Sequence, residues 1–315
     1  MALITDFSKV KEIYAQAAEK GWVIPCFCTE NLTTSEAVFS AAQDFAQKNN
    51  HRSVPVTLAM TVRYSRRPQA SYYTHTRRWE TGLKLFTADA QILTDKDGPF
   101  PNVDVLLHLD HVQHDDDLEL LENRDLSGYS SIMYDASGLP FAENIKKTAA
   151  FAEKMRGKIL IEGACDEIVD AGGEVQSALT TPEKAKEYTD KTNVDLIVAN
   201  LGTEHRAGSA ALHYFDDMAK KIKERIGAKM VLHGLSSVSL EQVKNLYSDG
   251  ICKVNIWTML ERDSSPALLR QMTENAGKIA GKGAALSHFT TVWRQDIIFS
   301  EMKKIVSGFF EMWYR

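Results

Sequence analysis

The chain has 315 residues, 44% of them hydrophobic, enough to bury one large core as a single α/β barrel or as two smaller domains. Its net charge of -5 argues against nucleic acid or an anionic membrane as a bulk partner. The opening MALITDFSKVKEIYAQAAEKG lacks the charged-then-apolar order of a secretory signal, and no uncharged apolar stretch is long enough for a bilayer. A cytoplasmic globular protein is expected.

A helix is expected over Phe7–Lys20, then a strand over Trp22–Phe27. Cys26-Phe27-Cys28 is not a CxxC motif. Together with Cys165 and Cys252 it follows no zinc-finger spacing, which suits reduced, buried thiols. The next helix, Ser35–Lys48, follows a Thr33-x-x-Glu36 capping box and carries Ala37, Val38, Ala41, Ala42 and Phe45 on one face. A second strand spans Val54–Met60.

The segment from about 61 to 101 breaks the even spacing and reads as a long loop insertion. It holds Arg63, Arg66, Arg67, Arg77 and Arg78 among Tyr64, Tyr72, Tyr73 and Trp79. A solvated surface or subunit contact is one reading. Anion binding by some of the arginines is the other.

Strands follow at Val103–Leu109, Ser130–Asp135, Lys158–Glu162, Asp195–Leu201, Lys229–Leu232 and Ile251–Ile256. Between them lie helical stretches. Phe141–Arg156 stops at Gly157, Thr181-Pro182-Glu183 is a cap with proline at the first helical position, Tyr214–Ile226 ends at Gly227, and Ser239-x-x-Gln242 opens another helix. A helical segment from about 261 to 315 closes the chain. The strands are short, rich in Val, Ile and Leu, and do not alternate, as expected for a parallel sheet buried on both faces. Repeated strand–helix alternation predicts a (β/α)8 TIM barrel as one domain over 1–315.

His111, His205 and His233 each lie at the downstream end of a different apolar run: VDVLLHLDH, VDLIVANLGTEH and KMVLH. Strands of a parallel barrel end on one face, so these residues can converge there. Three neutral imidazoles suit zinc with an open coordination position. Asp110, beside the first histidine, makes the set look like a reaction centre. His114, in the run HDDD, reads as a surface residue.

From HLDH (His108–His111) onward the chain resembles the class II, metal-dependent ketose-bisphosphate aldolases, the fructose- and tagatose-bisphosphate aldolase family. MYDASGLPFAENI (Met133–Ile145), ILIEG (Ile159–Gly163), GTEH (Gly202–His205), LHGLSS (Leu232–Ser237) and KVNIWT (Lys253–Thr258) resemble the family's fourth- to eighth-strand segments, in order. The resemblance implies zinc on His111, His205 and His233, leaving open a second monovalent or divalent cation. It implies Asp110 as catalytic acid/base and Glu174, in Gly172-Gly173-Glu174, as a second proton carrier. Gly234, Ser236, Asn255 and Thr258 fall where the family binds the phosphate and hydroxyls of dihydroxyacetone phosphate. Asp135 and Ser137 are expected to buttress the site, with Glu162 as a buried acid behind it.

The implied reaction is reversible cleavage of a ketose phosphate or bisphosphate to dihydroxyacetone phosphate and an aldehyde, through a metal-stabilised enediolate. A homo-oligomer, dimer or tetramer, is implied as well. The chain departs from the family near the substrate. Leu235 replaces a glycine, Arg206 replaces another and either offers a cation to an anionic substrate or blocks the usual phosphate pose, Ala164 replaces a glutamate, Cys28 an asparagine, and Trp257 fills a variable position. These departures keep two alternatives open: the same metal chemistry, or an isomerase reaction, on a substrate lacking the usual phosphate; or a non-catalytic sugar-phosphate-binding barrel.

Overall fold

The computed structural model describes residues 3–171, 179–207, 213–281, 288 and 290–314. Eight parallel strands run in chain order around a closed barrel: β1 (Ile24–Cys28), β2 (Val54–Thr61), β3 (Val103–Gln113), β4 (Ser131–Asp135), β5 (Leu160–Ala164), β6 (Leu196–Val198), β7 (Met230–Leu232) and β8 (Ile251–Ile256). Closure is made by β1 pairing β8, with Cys26 opposite Asn255. The expected (β/α)8 architecture is therefore present.

Every strand is nearly or wholly buried, because helices cover its outer face while side chains fill the barrel. Val10 of the helix Phe7–Lys20 packs with Leu106, Met133, Leu160, Leu196 and Val231. A larger apolar layer lies between strands and helices, and the helix Thr291–Trp313 brings Phe309 and Phe310 against Phe27. No helix among the described residues is long and apolar enough to cross a membrane. All four cysteines are buried and unbridged.

Two local expectations are corrected. The helix expected from Ser35 begins at Leu32, capped by Asn31, whose side chain accepts from the Thr34 amide; Thr33 lies inside it. The 61–101 segment is not an open loop, since it contains the helices Gln69–Tyr72 and Trp79–Thr94. The second of these buries Leu83, Phe86 and Ala90 at helical spacing. Irregular chain in this segment is thus confined to 62–68, 73–78 and 95–102.

Candidate metal centre

At the end of β3 the chain must turn two consecutive side chains toward one point, which a regular strand cannot do. Leu109 lies opposite Ile132 and Val112 opposite Tyr134, so β3 contains one extra residue relative to β4. His111 takes φ 46°, in the left-handed region. Such a bulge re-aims a side chain, and the conformation costs about 1–3 kcal/mol unless its surroundings hold it.

The surroundings are specific. Nδ1 of His111 lies 2.9 Å from Asp135 Oδ2, and Asp135 is itself held by the Ser137 amide and hydroxyl and by the Gln113 side chain. The ring of Tyr64 stacks on His111 with centroids 4.5 Å apart.

His205 follows β6. Its backbone pairs with the chain after β5, donating to Val169 and accepting from Ala171. His233 directly follows β7; its carbonyl accepts from Thr203 Oγ1 at 2.7 Å, and its Nε2 lies 3.3 Å from Glu162 Oε1. Gly234 then turns at φ 71°, where a Cβ would stand 2.7 Å from the Glu204 carbonyl oxygen, so only glycine fits.

These placements bring one ring nitrogen from each of His111, His205 and His233 within 4.8 Å of one another. The Nε2 atoms of His111 and His205 are buried with no partner among the described residues. An unpartnered buried polar atom is unfavourable by about 1–3 kcal/mol, and a divalent ion would satisfy both. Burial holds the imidazoles of His205 and His233 below their ordinary titration range, so both are neutral, as ligation requires. Burial opposes charge on His111 too, but Asp110 and Asp135 outweigh it and raise its pKa. The residues therefore fit a divalent ion, and the His111–Asp135 contact is the usual support of a ligating imidazole.

Asp110 is fully buried beside the trio. Asn255 Nδ2 donates to its Oδ1 at 3.0 Å and Arg67 NH2 to its Oδ2 at 3.0 Å; the Cys28 thiol lies 3.6 Å from Oδ2. Burial alone would raise this carboxyl, but His111, His233 and Arg67 hold it well below the usual carboxylate range.

Gly234, Ser236, Asn255 and Thr258 line the same cavity as the histidines and Asp110. Ser236 Oγ and Asn255 Oδ1 are buried without partners among the described residues. Arg206 also lines it, but its guanidinium is engaged by Asp170, and its backbone sits at φ 59°, a conformation that favours glycine. Leu235 joins the apolar layer around the barrel. Glu174 lies outside the described residues. His114, expected at the surface, has a side chain only 13% exposed, with Nδ1 3.6 Å from Asp115.

Three site residues were not singled out in the sequence, and a fourth, His108, has no role assigned from the sequence. Arg67 and Tyr64 lie in the arginine- and aromatic-rich segment, where nothing in their order distinguishes them from their neighbours. His108 and Lys253 lie deeper in the barrel. Lys253 Nζ bonds Glu162 Oε2 at 2.7 Å, and His108 Nε2 stands between Asp110 and Glu162 at 3.8 and 3.9 Å. A lysine within the apolar run ICKVNI was a readable signal, because a buried cation needs a partner.

A closed barrel with three imidazoles and a carboxylate at one mouth defines a protein that could hold a divalent metal there. The model of the family described as fructose-bisphosphate aldolase class-II matches residues 8–312. The chain belongs to that class II aldolase family. Its fold is similar to that of a fructose-bisphosphate aldolase from Campylobacter jejuni, at 18% identity and TM-score 0.77, covering 99% of this chain and 96% of the other. It is similar to the YdjI aldolase from Escherichia coli K12, at 19% identity and TM-score 0.69, covering 96% of each chain. It is also similar to a putative fructose-1,6-biphosphate aldolase from Coccidioides immitis, at 22% identity and TM-score 0.71, covering 96% of this chain and 95% of the other. At these identities the structural likeness speaks for the fold.

Proposed function

We propose that the protein is a zinc-dependent aldolase that reversibly cleaves a ketose phosphate or bisphosphate to dihydroxyacetone phosphate and an aldehyde. The observation that carries this reading is the convergence of His111, His205 and His233 within 4.8 Å, with Asp110 lining the same cavity. The three histidines would hold the ion. Zinc bound there supplies Lewis-acid stabilisation of the negative charge that develops on the ketone half, on the order of several kcal/mol.

Asp110 accepts the proton of the C4 hydroxyl during cleavage and returns it during condensation. Its cationic neighbours keep it ionised, the form a base must have. Asn255 and Arg67 each bond one carboxylate oxygen and fix its orientation. Ser236, with an unpartnered buried hydroxyl, and Gly234, Asn255 and Thr258 offer donors to the phosphate and hydroxyls of the ketone half. Glu174 is assigned the proton at the carbon of that half. The intact trio with its carboxylate favours catalysis over a barrel that only binds sugar phosphates.

Incubation of the protein with dihydroxyacetone phosphate and a panel of aldehydes, with and without chelator, tests the reading. Condensation should vanish with chelator and return with zinc or cobalt, and Asp110→Ala should lower turnover by about 10²- to 10⁴-fold. Undiminished turnover in metal-free protein would contradict it.

A further inference from the structure

We propose that Asp117 is a positioning residue of the metal centre: its carboxylate joins the turn after β2 to the end of β3 and, through Gln113 and Tyr64, holds the His111 ring. This rests on the metal-centre part of the aldolase reading and on no choice of substrate.

Asp117 immediately precedes the helix Leu118–Asn123 and is only 1% exposed. Burying a carboxylate is unfavourable unless it is paired, so its partners indicate what it is for. Its Oδ2 accepts the backbone amide of Gln113, the last residue of β3, at 2.9 Å. From the β2 side, the amide and guanidinium of Arg63 act on the same carboxylate. Its Oδ1 is buried without a bond of good geometry among the described residues.

Both segments lead to His111. Gln113 Nε2 donates to Asp135 Oδ2 at 2.9 Å and to the His111 carbonyl at 3.2 Å, and the same Asp135 oxygen lies 2.9 Å from His111 Nδ1. Arg63 directly precedes Tyr64, whose ring is stacked on His111. One route reaches the edge of the imidazole and the other its face. His111 is also the histidine of the trio with a left-handed backbone, and such a conformation persists only where the surroundings hold it.

The charge on Asp117 can be switched without touching a histidine. Burial raises its pKa to about 6, against an ordinary 3.8, although the Gln113 amide and Arg63 act to lower it. Asp116 in its own turn adds to the rise, while His114 and Asp115 beside it face each other at 3.6 Å. Above about pH 6 the carboxylate is therefore ionised and attracts Arg63; below it, the proton removes that attraction.

Zinc affinity of the chelator-stripped protein, measured by competition at about pH 7.5 and about pH 5, tests the inference. Asp117→Asn keeps an acceptor for Gln113 but carries no charge. At the higher pH it should bind zinc about tenfold more weakly than wild type. At the lower pH the two affinities should converge, because wild-type Asp117 is then neutral as well. Protonation of the histidines weakens both proteins and cancels from the ratio. Gln113→Met keeps the Asp117 charge but loses the donor to Asp135, and should also weaken zinc binding about tenfold at the higher pH. A carboxylate acting on the ion only through space would leave that variant like wild type.

Wild-type affinity in Asp117→Asn at the higher pH, or the same ratio at both, overturns this inference alone. So does wild-type affinity in Gln113→Met, which decides the matter by itself if Asp117→Asn does not fold. Absence of zinc binding by the wild type brings down the metal-centre reading and this inference with it.

Discussion

His111 carries several constraints at once. Its backbone sits at φ 46°, its ring is stacked under Tyr64, and its Nδ1 is held 2.9 Å from Asp135. Together they leave Nε2 buried and without a partner among the described residues, on a ring that lies beside the other two imidazoles. The Asp135 carboxylate fixes the ring and makes it a better donor, so Asp135→Ala should weaken zinc binding by about 10- to 100-fold, read by competition against a chelator of known affinity. An affinity equal to wild type would show that the bulge and Tyr64 orient the ring without it. Asp135 was legible as a buttress because it ends the strand next to the one that carries His111 near its downstream end. Arg67 was not, because its contact with Asp110 depends on the path of an irregular turn that no periodicity describes.

At the scale of elements, the barrel interior carries a buried charge pair between strands that are not neighbours. Glu162 on β5 and Lys253 on β8 are both fully buried, with Oε2 and Nζ 2.7 Å apart. Burial would raise the glutamate, but Lys253, His108 and His233 outweigh it and hold its pKa down to about 2, against an ordinary value of 4.5. A folded-state pKa below the unfolded one means that this stabilisation is complete above about pH 4.5 and is lost as pH falls toward 2. Lys253→Met leaves the carboxylate buried and unpaired, and should destabilise the fold at pH 7 by about 3–5 kcal/mol. Without the lysine, protonation relieves the glutamate, so the gap to wild type should narrow as pH falls. Urea unfolding at a series of pH values measures this, and a constant gap would count against the pair. Each charge was visible within an apolar strand, but their pairing was not, since it depends on which strands face each other across the closed barrel.

Across the whole molecule, the architecture was legible because buried parallel strands are apolar runs whatever their neighbours. β2, β4 and β8 match their expected spans to within a residue. β6 is shorter than expected, ending at Val198, because Asn200 already turns to accept the Gly202 amide. The helix Trp79–Thr94 was missed: Arg78 gives it no side-chain cap, and arginines and aromatics before it mask its apolar face. The histidine trio was readable since a parallel barrel gathers the ends of its strands on one face. That gathering is also the claim on which the functional account stands.

Its most direct test is a zinc titration of chelator-stripped protein, repeated on His111→Ala, His205→Ala and His233→Ala. The account predicts one tightly bound ion per chain in the wild type and loss of tight binding in each variant. Wild-type affinity retained in any of the three would contradict it.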